Sequence, residues 1–161
     1  MSGFSHLNDK GEAVMVDVSG KDVTSRIAVA SGRITMSREA FDLLVDNKMP
    51  KGDVIATARI AGIQAAKKTP DLIPLCHLLM LEKVSVDLIP DSSDLSVKAV
   101  CEVRLTGKTG AEMEALTGVS TALLTVYDMC KAIDRAMVIS DIRLDKKDGG
   151  KTGLYDRKGN Q

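Results

Sequence analysis

Residues 110–131 read GAEMEALTGVSTALLTVYDMCK. From Ala115 to Tyr127 no residue is charged; Glu112 and Glu114 stand before that run, Asp128 and Lys131 after it. Alanine, leucine and methionine favour a helix, and no proline interrupts the stretch. At ~100° per residue, Leu116, Val119, Leu123, Val126 and Cys130 share one face. The opposite face carries Glu114, Thr117, Thr121, Thr125, Asp128 and Lys131, neutral residues between charged ends. A surface helix keeps one charged face, whereas a helix neutral all round is buried all round. In a chain of 161 residues, one face is expected to meet the chain's own sheet. The other is expected to meet a second subunit, with the Asp128–Lys131 pair part-buried at the boundary.

The flanking segments fit a sheet under this helix. IAVASGRITM, from Ile27, is β-rich and predicts a first strand to about Met36. Ser37 is placed to cap a short helix over REAFDLLVDN, with Ala40, Phe41, Leu44 and Val45 as its apolar face. Asp53 opens a second helix rich in alanine and glycine, with Lys67 and Lys68 at its end and Pro70 stopping it. DLIPLCHLLML is read as a proline-bent loop bearing Cys76 and His77. EKVSVDLIP and LSVKAVCEVRLTG, joined by the turn PDSSD, predict an antiparallel hairpin. After the long helix, AMVISDIRL predicts a last strand. AVMVDVS, before the first strand, is expected to be extended. The order is β-α-β-β-α-β with one extra short helix: an α+β, ferredoxin-like fold whose helices cover one face of an antiparallel sheet. The chain is read as a single domain over 1–161, with a mobile N-terminus at 1–12 and a charged, glycine-rich mobile tail at 145–161.

Composition excludes several classes. Acidic and basic residues balance to a net charge of zero, which argues against a nucleic-acid footprint. The rings are Phe4, Phe41, Tyr127 and Tyr155, too few to stack bases. No uncharged apolar run reaches the ~18 residues of a membrane span. Cys76, Cys101 and Cys130 form no CxxC, which suits free thiols in a reducing cytoplasm and no zinc site.

Several groups could carry chemistry. Asp128 and Lys131 are helix-face neighbours, and a buried acid and base suggest a purpose beyond a surface ion pair. Glu112 and Glu114 suit the positive end of a helix, and Glu114 shares a face with Asp128. Lys51 beside a helix start is a candidate anion contact. His77 is one of two histidines. Lys146, Lys147 and Lys151 surround Gly149-Gly150, either as a solvated tail or as a lid carrying cations to a polyphosphate. Neither GxxxxGK[ST] nor GxGxxG is present.

KGDVIATARIAGIQAAKKTPDLIPLCH, LTGKTGAEMEALTGVSTALLTVYDMCKA and the later GGK resemble the cyclic pyranopterin monophosphate synthase (MoaC) family of molybdenum cofactor biosynthesis. The resemblance runs from about Met15 to Gly153. It implies a ferredoxin-like subunit in a homohexamer, a trimer of dimers with active sites at dimer interfaces. It implies a lyase acting after a radical S-adenosylmethionine GTP cyclase. That lyase would convert the 3′,8-cyclised dihydro-GTP to cyclic pyranopterin monophosphate with release of pyrophosphate. Carried over by motif, Asp128 and Lys131 are the acid/base pair and Lys51 a further catalytic lysine. Leu75, Cys76, His77, Glu112, Met113 and Glu114 contact substrate, Lys147 and Lys151 meet phosphates, and Asp17 and Arg26 belong to the site. No tightly bound cofactor and no protein metal site are implied; Mg²⁺ would ride on the substrate triphosphate. The family pattern reads CHPL where this chain has Cys76-His77-Leu78-Leu79, so the proline restraint on the residue before it is missing. The rival readings are a nucleotide-binding module without catalysis and a purely structural oligomer.

Overall fold

Alternation along the strands sets which face of the sheet the helices cover. The structure, a computed structural model, describes residues 7–8 and 10–159. In chain order these form β1 (Thr24–Thr35), α1 (Arg38–Val45), α2 (Val54–Lys67), α3 (Thr69–Leu72) and β2 (Lys83–Asp91). Next come β3 (Ser96–Gly107), α4 (Glu112–Cys130), β4 (Val138–Asp148) and β5 (Tyr155–Asp156). The sheet runs β2-β3-β1-β4-β5, and every pairing is antiparallel. Its first four strands with α2 and α4 make the ferredoxin-like α+β fold.

On β3, Val97, Ala99, Cys101, Val103 and Leu105 are buried while Lys98 and Arg104 are exposed, the period of two that puts helices on one face. β1 contributes Ala28, Ala30 and Ile34 to the same core. Gly32 lets α4 lie directly on β1: a Cβ there would stand 2.9 Å from Leu123 Cδ1 and 3.0 Å from Val119 Cγ1. Leu123 is fully buried, so Leu123→Ala costs about 2–5 kcal/mol.

The helices start where their caps put them. Ser37 Oγ accepts from the Ala40 N–H at 3.2 Å, and Asp53 Oδ1 accepts from the Ala56 N–H at 2.9 Å. α2 ends at Lys67, ahead of Pro70 as expected, and Pro70 itself sits in the first turn of a further short helix, α3, where a missing N–H costs nothing. There are therefore two short extra helices. On α1, Val45 is exposed, and the buried face is Ala40, Phe41 and Leu44.

α4 differs from expectation in how its second face is used. α2 packs antiparallel against it, with Gly62 so close to Gly118 that a Cβ would meet the Gly118 carbonyl at 2.8 Å. Ala115, Gly118 and Ala122 are buried, whereas Leu116 is only partly so. α2 thus covers the helix between the two expected faces, and Thr117, Thr121 and Thr125 of the expected second face are half-buried within the chain. Ser120 and Thr125 turn their hydroxyls back onto the carbonyls of Leu116 and Thr121, both at 2.8 Å. Leu124 stays open to solvent.

The last strand also runs further than expected. Residues 145–148 continue β4, and Tyr155–Asp156 returns to pair with Lys146 and Lys147. The segment Ala13–Ser19 lies outside the sheet, with one isolated bridge between Leu7 and Ala13. Of the expected mobile N-terminus, residues 1–6 and 9 fall outside the described residues.

Candidate active site

The antiparallel packing of α2 on α4 sorts the candidate residues to two ends of one helix. The loop before α2 reaches the C-terminal end of α4, and the loop after α3 reaches its N-terminal end.

At the C-terminal end, Lys51 Nζ donates to Asp128 Oδ2 at 2.8 Å and to the Asp128 carbonyl at 3.1 Å. Lys131 Nζ lies 2.7 Å from Asp128 Oδ1. Two ammonium groups hold one carboxylate, which leaves the cluster cationic beside the last carbonyls of α4. The hydrogen bond from Lys131, then that from Lys51, pulls the Asp128 carboxyl down to about 2. The expected part-buried pair is open in the single chain: the Asp128 and Lys131 side chains are 54% and 50% exposed. They lie beyond the surface that α2 and the sheet cover.

At the N-terminal end, Leu75, Cys76, His77, Glu112, Met113 and Glu114 come together around a small cavity of about 130 Å³. Leu79, Thr109 and Gly110 complete it. α4 begins at Ala111 with no side-chain cap, and Glu112 and Glu114 occupy its positive first turn. Glu114 is buried, and that burial, with a smaller push from Glu112, raises its pKa against a hydrogen bond from its own backbone. Burial and then the Glu114 charge push the Cys76 thiol up. His77 Nε2 stands 2.7 Å from the Val16 carbonyl oxygen.

A larger cavity of about 500 Å³ adjoins it, sharing Thr109 and Gly110. Its charged lining is Lys21, Arg26, Lys108, Lys147 and Lys151 against one acid, Asp22. The Thr24 and Thr109 Oγ1 atoms are buried there without a hydrogen-bond partner among the described residues. Lys147 Nζ donates to Glu112 Oε1 at 2.9 Å across the boundary between the cavities. Arg26 donates from Nε to the Gly107 carbonyl (3.2 Å) and from Nη2 to the Lys108 carbonyl (3.1 Å), fixing the loop that enters α4. Gly149 and Gly150 have φ of +101° and +74°. A Cβ on Gly150 would collide with the Arg26 guanidinium, and one on Gly149 with the Ser25 carbonyl. The two glycines thus let the chain cross the start of β1 and bring Lys151 to the cavity.

Asp17 lines neither cavity. It is exposed, and its Oδ1 accepts from the Ser19 N–H at 2.8 Å, which holds its carboxyl below the usual range. Lys21, Thr24, Lys108 and Thr109 join the site without having stood out in the sequence. For Lys108 and Thr109 a signal exists, the glycine-flanked Gly107-Lys-Thr-Gly110 turn ahead of the helix; for Lys21 and Thr24 there is none. Among the described residues, no three His, Cys, Asp or Glu side chains come together as a metal-ligand set.

Along α4, Glu112 and Asp128 are about 24 Å apart at ~1.5 Å per residue. Glu114 and Asp128, expected on one face of the helix, therefore cannot line a single groove within one chain. Glu114 is buried at one end of the helix, and the acid–base cluster is open at the other.

Fold and site together define a ferredoxin-like subunit that carries carboxylates, lysines and a histidine around a cationic cavity of small-molecule size. The chain belongs to the MoaC family, whose model matches residues 15–150. It is 53% identical over 161 residues to the cyclic pyranopterin monophosphate synthase of Pelotomaculum thermopropionicum, covering 100% of this chain and 95% of that protein. The enzyme of the same name from Roseiflexus sp. (strain RS-1) is 58% identical over 155 residues, 96% of this chain and 98% of its own. That from Campylobacter jejuni is 54% identical over 154 residues, 96% and 98% of the two chains.

Proposed function

We propose that this chain is a cyclic pyranopterin monophosphate synthase of molybdenum cofactor biosynthesis. It takes the 3′,8-cyclised dihydro-GTP made by a radical S-adenosylmethionine enzyme, rearranges it to cyclic pyranopterin monophosphate and releases pyrophosphate. The observation that carries the reading is the pair of adjoining cavities. One is lined by five cationic side chains and two hydroxyls without a partner among the described residues, and suits a polyphosphate; the other offers His77, Glu112 and Glu114 to a nitrogen heterocycle. Arg26, Lys147 and Lys151 meet the phosphates, and Leu75, Cys76 and Met113 pack against the ring and sugar.

Proton transfers for ring opening and reclosure come from the other cluster. Asp128, ionised down to about 2, holds the Lys131 and Lys51 ammonium groups in place. Asp128 and Lys131 form the central acid/base pair, with Lys51 beside them. A proton-transfer group works within about 2.6–3.2 Å of its target, so a cluster some 24 Å from the ring-holding residues cannot serve them in the same chain. A second copy supplies it. The assembly is a homohexamer built as a trimer of dimers, with each active site shared across a dimer interface. Leu124 and the open strip of α4, ending at Asp128, support that placement. Mg²⁺ enters with the triphosphate. The enzyme is cytoplasmic, which its free cysteines suit; among the described residues no helix is long and apolar enough to cross a membrane.

The test is pyrophosphate release from the cyclised GTP by Asp128→Ala and Lys131→Ala. Loss of turnover with intact assembly is expected. Wild-type turnover by either assembled variant would sink the assignment, and a wild-type chain that binds the compound without releasing pyrophosphate would be a binding module.

A further inference from the structure

The segment leading into β1 runs past both cavities without joining the sheet. Between Ala13 and Val23, Val16 and Val18 are the half-buried positions; the rest are exposed. A turn closed by Lys21 N–H to the Val18 carbonyl at 3.1 Å shapes its end. Two side chains tie it down. Lys108, from the cationic cavity, donates to the Ser19 carbonyl at 2.6 Å, and His77, from the small cavity, meets the Val16 carbonyl at 2.7 Å.

The second tie has a chemical consequence. A carbonyl oxygen only accepts, so the His77 nitrogen facing it must carry hydrogen. In a neutral imidazole, hydrogen on Nε2 leaves Nδ1 with a free lone pair. Among the described residues no other hydrogen bond reaches the ring. The loop backbone does little to orient it, since residue 78 is leucine, 82% exposed, without the restraint a proline there would impose.

We infer that the Val16 carbonyl is a positioning group that holds His77 as its Nε2–H tautomer. It thereby gives the small cavity an acceptor, Nδ1, for an N–H or O–H of the bound ring. This rests on the reading of His77 as a substrate contact. The strap is then part of the site. It decides which ring nitrogen faces the ligand, and its other tie, from Lys108 to the Ser19 carbonyl, links its position to the cavity assigned to phosphates.

The test separates the tautomer from the reaction. With ring-¹⁵N histidine in the assembled full chain, His6→Gln removes the only other histidine signal. At a pH where the His77 ring is neutral, Nε2 should resonate as the protonated nitrogen and Nδ1 as the bare one. An Nδ1–H tautomer, or a mixture, overturns the inference whatever the enzyme turns over. Two variants check the consequence. The Gln amide of His77→Gln reaches the Nε2 position and keeps the tie to Val16, so amide protection over 16–19 should persist while kcat falls roughly tenfold. In His77→Asn the amide is too short, so that protection should drop and KM rise. Equal strap protection in both variants would remove Val16 from the role. A fixed tautomer in a wild-type chain that releases no pyrophosphate would instead overturn the proposed reaction.

Discussion

Mixing two inactive variants tests whether the site is shared. Take Lys131→Ala, which removes an ammonium from the C-terminal cluster, and Glu112→Gln, which removes the carboxylate charge from the 2.9 Å pair with Lys147 at the other end of α4. The two positions lie about 28 Å apart along the helix. If each site takes the Lys131 end from one copy and the Glu112 end from its partner, a mixed dimer carries both lesions in one site and none in the other. Random reassortment makes half the dimers mixed, and half of their sites are intact. The mixture should therefore recover about a quarter of wild-type activity from a symmetric, isologous pair. Differently tagged chains co-expressed in equal amounts provide the reassortment, and pyrophosphate release from the cyclised GTP is the assay. A mixture no more active than the better parent, in dimers shown to be mixed, would refute the shared site. Every site would then have to be complete within one chain, against the roughly 24 Å that separates Glu112 from Asp128 along α4.

Charge and packing give further outcomes. The Asp128 carboxylate should titrate near 2 by ¹³C NMR, well below an ordinary aspartate, and its midpoint should rise in Lys131→Ala and in Lys51→Ala. The native carboxyl being depressed, its contribution to stability is present above the unfolded value and disappears as pH falls towards 2. An unmoved midpoint in both variants would mean the lysines are not its partners. Glu114 behaves oppositely: burial raises its pKa, so the native state holds its proton longer than the unfolded chain and stability falls as pH rises through that window. Glu114→Gln should accordingly melt higher than wild type at pH 7, with the advantage shrinking on acidification, while substrate turnover drops; a lower Tm at pH 7 would contradict it. Gly62→Ala brings a methyl to 2.8 Å from the Gly118 carbonyl. Overpacking of about 1–3 kcal/mol outweighs the roughly 1 kcal/mol of helix propensity gained. Its Tm should fall by a few degrees, and an unchanged or raised Tm would show that α2 can move off α4.

Much of the fold is legible because its signals are local. Ser37 and Asp53 cap the helices they precede, since a short acceptor side chain reaches an N–H three residues on. The period of two on β3 marks its buried face. What escapes is what local preference does not govern. β4 continues through Asp145, Lys146 and Lys147 because its half-exposed side tolerates charge, so the pattern there reads as a tail. β5 is too short to show a period, and it exists because Lys146 and Lys147 offer it a ladder.

The site divides along the same line. From its residues and the resemblance they bear, the sequence by itself determined the family, the identity of the candidate acids and bases, and the neutral helix that carries them. Tertiary structure alone decided that Lys51 closes on Asp128 from a distant loop, and that Arg26 and two left-handed glycines gather a cationic cavity. It also decided that the two halves stand at opposite ends of α4. The physical reason is that a rigid helix converts sequence separation into distance, while which loop meets which end depends on how a second helix packs against it.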